Sequence, residues 1–375
     1  MEDCALSLGI AAEKGRVSAL DSVRAVAILA VIGTHSLSAT VAVTQSYSIP
    51  KTIFSVFDYG QFGVEVFFAL SGWLIFSLYY KKDKQPSAAH YWSRRISRIW
   101  PLWALFVVIY FVQYNIDTQG LHTWAAMALS LTFLGWTVGS LVVVPSGGLT
   151  IMQEMGHYLA FWFLRKRGIE AFLISVVVGY ITFYLAKGIA GMQSIPEAVA
   201  GAMDAWLRLS LFNSWPFFVL GGLSYLGLQR LKNQPDQQGK HLLSPTGAVW
   251  LLIALVLGSQ SVYAQETPGY FVFGYVILAV LLGISLNRIP LVNRVSWSIG
   301  RYSYFMYFFH FLVLRQLEPI FIDSGLMSEN ESMVQNLLVL ISMFVLATAI
   351  SWAVALFSWT VFESPIMKVA RKRFS

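Results

Sequence analysis

Apolar residues along the chain come in long blocks, near 20–38, 60–80, 99–114, 149–164, 169–187, 204–228, 246–263, 269–286, 297–316 and 333–357, separated by charged or turn-forming residues. A block of about 20 residues rises far enough as a helix to cross ~30 Å of hydrocarbon. No water is present there to satisfy backbone groups, and a helix satisfies its own. The blocks do not alternate apolar and polar positions as barrel strands do. The pattern predicts an all-α fold, a polytopic membrane bundle of about ten transmembrane helices.

One further apolar stretch, Trp124 to Val144, is long enough to span, and charge argues against it. With ten spans and cytosolic N- and C-termini, twenty of the 26 Lys and Arg fall in the cytosolic segments 1–19, 81–98, 165–168, 229–245, 287–296 and 358–375. Only Lys51, Lys187 and Arg315 fall outside or at the outer edge, a strong positive-inside bias. An extra span at 124–144 would turn the Arg165–Lys166–Arg167 cluster outward. The segment 122–148 is therefore read as re-entrant or interfacial, which its glycines and Pro145 suit.

Composition sharpens this picture. Of the residues, 57% are hydrophobic and 12% charged, against roughly 25% charged in soluble domains. The net charge of +7 follows topology, so it does not point to nucleic acid. The single cysteine, Cys4, excludes an internal disulfide. The N-terminus lacks the basic start of a cleaved signal peptide. No repeat or low-complexity region divides the chain, and a single domain over 1–375 with no fused soluble domain is expected. No metal-ligand spacing, nucleophile elbow or Walker A sequence occurs, so no metal site is assigned.

Polar residues inside the blocks carry the candidate chemistry, because each charge at the bilayer centre costs roughly 2.5–3.5 kcal/mol on insertion scales. Arg24 and His35 lie eleven residues apart on one face of the first span. They fit an anion-binding arginine below a catalytic base, or a snorkelling arginine and a packing histidine. Glu154, His157 and Tyr158 share a face of the fourth span. Ser303, Tyr307 and His310 form a stripe on the ninth, suited to a cavity wall or to interhelical bonding. Glu65 is read as solvated near the outer end of the second span. Arg95 and Arg98, in Arg94-Arg95-Ile-Ser-Arg98, project together if helical. That suits bidentate phosphate binding or a topology anchor.

LDSVRAVAILAVIGTHS (20–36), FGVEVFFALSGWLIF (62–76), RRISRIWPLW (94–103), SIGRYSYFMYFFHFLV (298–313) and SWTVFESPIMKVARKRF (358–374) together resemble the membrane acyltransferase-3 family. Its members commonly O-acetylate bacterial cell-surface polysaccharides. The family's Trp-Ser-Leu-x-x-Glu-x-x-Phe-Tyr pattern reads LTIMQEMGHY (149–158) here, keeping Glu154 and Tyr158 and replacing Phe with His157.

The resemblance implies one integral membrane acyltransferase domain in a bacterial inner membrane. An acyl group, most simply acetyl, would pass from cytosolic acyl-CoA to a hydroxyl of a cell-surface or lipid-linked saccharide. Acyl-CoA is a co-substrate, with no permanently bound cofactor. Arg24, Arg95, Arg98 and Ser71 would bind the donor. Catalysis is expected from His35, as base or acyl carrier, with Glu154 orienting it. His157, Tyr158, Tyr307 and His310 are cavity candidates. The expected partners are acyl-CoA, the saccharide and membrane lipids, with no nucleic acid and with oligomeric state open. A secondary transporter, or a flippase of an envelope polysaccharide pathway, is the alternative.

Overall fold

The computed structural model describes residues 18–44, 49–80, 86–117, 124–134, 147–190, 192, 211–232, 293–327 and 332–374. Among these the secondary structure is helical throughout, without strands. The helices are α1 Ser18–Thr44, α2 Lys51–Asp58, α3 Gly63–Tyr80, α4 Ala88–Asp117, α5 Trp124–Leu131, α6 Gly148–Leu164, α7 Ile169–Ala190, α8 Leu211–Lys232, α9 Arg294–Asp323, α10 Met333–Ser358 and α11 Ser364–Phe374. A 3₁₀ turn, Tyr59–Phe62, joins α2 to α3, and a π turn, Trp359–Glu363, joins α10 to α11.

Seven of the ten predicted spans coincide with these helices, and the span at 204–228 does so from Leu211 on; residues 204–210 and the spans at 246–263 and 269–286 lie outside the described residues. Six of the helical segments are long and apolar enough to cross a membrane. Two boundaries shift. The second span is the C-terminal part of a continuous helical segment, Lys51–Tyr80. The third begins at Ala88 and runs through Pro101, so the loop arginines are on a helix. In the 122–148 segment, α5 has eight residues, about 12 Å of rise and too short to span. It ends at Leu131, and Phe133 just beyond it is a non-glycine residue at φ 60°. Trp100 and Trp103 anchor this end by donating their indole N–H groups to the carbonyls of Leu131 (3.2 Å) and Ser130 (2.9 Å). Residues 135–146 lie outside the described set.

The chain divides into two compact units, Met1–Phe67 with Ile277–Ile366, and Phe68–Val276 with Met367–Ser375. The first is built from both ends of the sequence. There α1 packs chiefly along α9, and α10 packs on both. Gly300 lets α9 approach so closely that a Cβ there would overlap the Asp21 carbonyl. Ser22 and Ser296 hydroxyls meet at 3.1 Å at this end, and the His35 and His310 rings meet further along. The pairs advance together, so α1 and α9 run parallel.

In the second unit the core is aromatic. Phe76, Phe161, Phe172 and Phe218 are fully buried and in mutual ring contact. Gly72 faces the Phe218 backbone, and Gly221 faces the Ala69 backbone, so α3 and α8 cross where small residues permit it. Gly300→Val is expected to destabilise the protein by about 1–3 kcal/mol or more, seen as a lower melting temperature in detergent. Gly188→Val, at a position with open space around it, is expected to melt with the wild type.

Candidate active site

The polar groups predicted inside spans gather into two clusters, one in each unit. The first forms where α1 meets α9. His35 is half-buried on α1, with its ring centroid 5.4 Å from that of His310 and 4.3 Å from that of Phe311. Among the described residues its imidazole has no hydrogen-bond partner. His310 is fully buried. Its Nδ1 lies 2.9 Å from the Met306 carbonyl, one turn back on α9. A carbonyl only accepts, so Nδ1 carries the proton and Nε2 holds the lone pair. That Nε2 is sealed from solvent with no partner.

Tyr307 and Ser303 continue the buried stripe, with Tyr307 edge-on to Phe67 at 6.1 Å and Ser303 donating to the Gly300 carbonyl at 2.9 Å. Nearer the start of α1, Arg24 is paired with buried Asp21 at 3.0 Å. Asp21 was not singled out in the sequence, although its spacing three residues before Arg24 is a signal for such a pair. Glu65, read as solvated, instead has its Oε2 buried without a partner.

The second cluster is built on α3, α4 and α6. Glu154 accepts hydrogen bonds from the Ser71 hydroxyl and the Tyr158 phenol. The latter joins residues one turn apart, as their shared face predicts. Tyr91 then links α4 to α6 by donating to the Tyr158 carbonyl at 2.8 Å. Arg95 lies over the Tyr91 ring at 3.8 Å and 5.4 Å from that of Tyr158, and donates to the Tyr91 carbonyl at 2.7 Å. Its Nε is buried without a partner. Arg98 is exposed. The two arginines share a helix as expected and differ in surroundings: one is stacked on aromatic rings, the other is open to the medium.

His157 is fully buried beside this cluster, among Phe68, Trp215 and Phe218. Its Nε2 lies 2.9 Å from the hydroxyl of buried Ser214. Ser214 was not anticipated; the signal for it was the histidine itself, which inside a span needs a polar partner. His35 and Glu154 belong to different units, and each has its own neighbours. No group of three or more His, Cys, Asp or Glu among the described residues is placed to hold a metal ion.

A helical protein with membrane-length helices and buried imidazole and carboxylate groups belongs to the class of integral membrane enzymes and carriers. A family model for an acyltransferase domain matches residues 17–356, and the chain belongs to the acyltransferase-3 family. No curated protein and no solved structure gives a match.

The His157–Ser214 pair generates a prediction. His157→Phe, which restores the residue expected from the family pattern, leaves the Ser214 hydroxyl buried without its partner. The expected cost is about 1–3 kcal/mol. His157→Phe/Ser214→Ala should recover most of it. A double-mutant cycle by thermal melting checks the pair, and additive losses would contradict it.

Proposed function

We propose that the protein transfers an acyl group, most simply acetyl, from cytosolic acyl-CoA to a hydroxyl of a cell-surface or lipid-linked saccharide. The observation that carries this reading is the half-buried His35 imidazole, which has no hydrogen-bond partner among the described residues of a chain in an acyltransferase family. A neutral imidazole free of other bonds suits the removal of a proton from an attacking hydroxyl.

Atoms balance simply. The acceptor oxygen forms the ester bond as the thioester C–S bond breaks. The hydroxyl proton passes to His35 and then to the departing CoA sulfur. A route through an acyl-histidine uses the same groups in two steps. Arg98, exposed, is suited to the charged phosphates of CoA, and Arg95, held on its aromatic rings, to a fixed second contact. Arg24 is assigned to the donor as well, with Asp21 holding its guanidinium in place. Glu154, bonded to Ser71 and Tyr158, is assigned to holding the second cluster in shape rather than to orienting His35.

Ten spans with cytosolic termini fit the parallel run of α1 and α9. Two parallel spans require an odd number of crossings between them. The described helical segments at 51–80, 88–117, 148–164, 169–190 and 211–232 supply five, and spans at 246–263 and 269–286 keep the count odd. A further span at 124–144 would make it even. A bacterial inner membrane is the proposed location.

Calorimetric titration of the detergent-purified protein with acetyl-CoA tests the donor assignment. Arg95→Ala/Arg98→Ala is expected to weaken binding about 10²-fold or more, from the loss of charge-assisted bonds of about 1.5–3 kcal/mol each. His35→Ala should bind as the wild type does. Succinyl-CoA is the second titrant if acetyl-CoA gives no heat. No binding of either would contradict the acyltransferase reading and favour a transporter.

A further inference from the structure

We propose that His310 is a positioning residue, which fixes the orientation and tautomer of His35 by accepting a hydrogen bond from it. The inference rests on His35 being the proton-accepting group of the acyl transfer. An imidazole that must take a proton at one nitrogen needs its other nitrogen protonated and held, the task a buried carboxylate performs in hydrolytic triads. Glu154 has its own donors, Ser71 and Tyr158. His310 offers what the task needs.

Three observations support this. First, the Met306 carbonyl fixes the proton of His310 on Nδ1, so Nε2 is an acceptor rather than one of two exchanging states. Second, that Nε2 is buried and unpartnered. Such a group costs stability, and a leucine would fill the space without that cost. Third, the ring centroids of His35 and His310 lie 5.4 Å apart. Rotation of the half-buried His35 ring can bring facing nitrogens to about the 3 Å of an ordinary hydrogen bond.

Phe311 closes against both rings, at 4.3 Å from His35 and 4.1 Å from His310. It shields part of the junction, and shielding from water strengthens such a bond. When His35 takes the acceptor's proton, its positive charge is shared through the N–H to Nε2 and the charge is steadied. The relay ends at the Met306 carbonyl, so no proton leaves through His310. The proton on His35 goes to the CoA sulfur.

The test uses the full chain in lipid nanodiscs with ¹⁵N-labelled histidine, with His35→Gln to assign the His35 signals. Two substitutions separate the roles of the two ring nitrogens. His310→Asn keeps an amide donor near the Nδ1 position for the Met306 carbonyl and removes the acceptor at Nε2. His310→Gln places a carbonyl acceptor near the Nε2 position. In the wild type, His35 is expected to show one tautomer, with one protonated and one bare nitrogen. His310→Asn should give exchanging tautomers, and His310→Gln should restore one.

In membranes of the expressing cells, acetyl-CoA turnover is followed by release of the CoA thiol. His310→Asn should lower kcat about 10²-fold, the low end of what a general base contributes, with KM for acetyl-CoA unchanged. His310→Gln should recover most of that loss. A His310→Asn protein that keeps the single tautomer and the wild-type kcat overturns the proposal. So does a folded His310→Gln protein that is no better than His310→Asn in both measurements. If the wild type turns over no acyl-CoA, the acyltransferase reading fails, and the tautomer measurement still decides whether His310 positions His35.

Discussion

Inside hydrocarbon a polar side chain must find its partner within the protein, because no water is there to supply one. The rest of the structure depends on this constraint. Asp21 meets Arg24, Glu154 collects Ser71 and Tyr158, and His157 holds Ser214. The Ser71–Glu154 and His157–Ser214 bonds bring faces of different helices together. The glycines serve the same end: Gly72, Gly221 and Gly300 let backbones approach to distances that a Cβ would forbid. Some groups stay unpartnered, among them the His310 Nε2, the Glu65 Oε2 and the Arg95 Nε, and costly polar positions of this kind are where function is expected.

The two clusters differ in the chemistry they offer. The second unit holds Arg95 and Arg98 on one helix, a cationic pair suited to an anionic donor. The first unit holds the His35 and His310 imidazoles where α1 meets α9, together with the Asp21–Arg24 pair and the buried Glu65 carboxyl. Acyl transfer needs both features: a fixed charge for the CoA phosphates, and a base that is cationic only in passing.

The helices were legible in the sequence because membrane-length apolar blocks depend on length and composition alone. Local pairings were legible too, as with Glu154 and Tyr158 one turn apart. What could not be read were partners far apart in sequence: Ser71 and Glu154 are separated by 83 residues, and His157 and Ser214 by 57. No periodicity encodes which helices become neighbours. The different surroundings of Arg95 and Arg98 were hidden for a related reason. Spacing gave them one helix face, while the aromatic ring from Tyr158 that lies near Arg95 comes from another helix. The start of α4 at Ala88 was missed because charged Arg94, Arg95 and Arg98 mask a helix that continues from the span.

The proposed role of His35 is proton acceptor in acyl transfer to a saccharide hydroxyl. Its most direct test is the alkali-labile acetate of the envelope saccharide fraction, measured in intact cells that express the wild type or His35→Ala at equal protein level. Ester-linked acetate is expected to appear with the wild type and to be lost with His35→Ala. Equal acetate in the two strains, with both proteins folded and in the membrane, would contradict it.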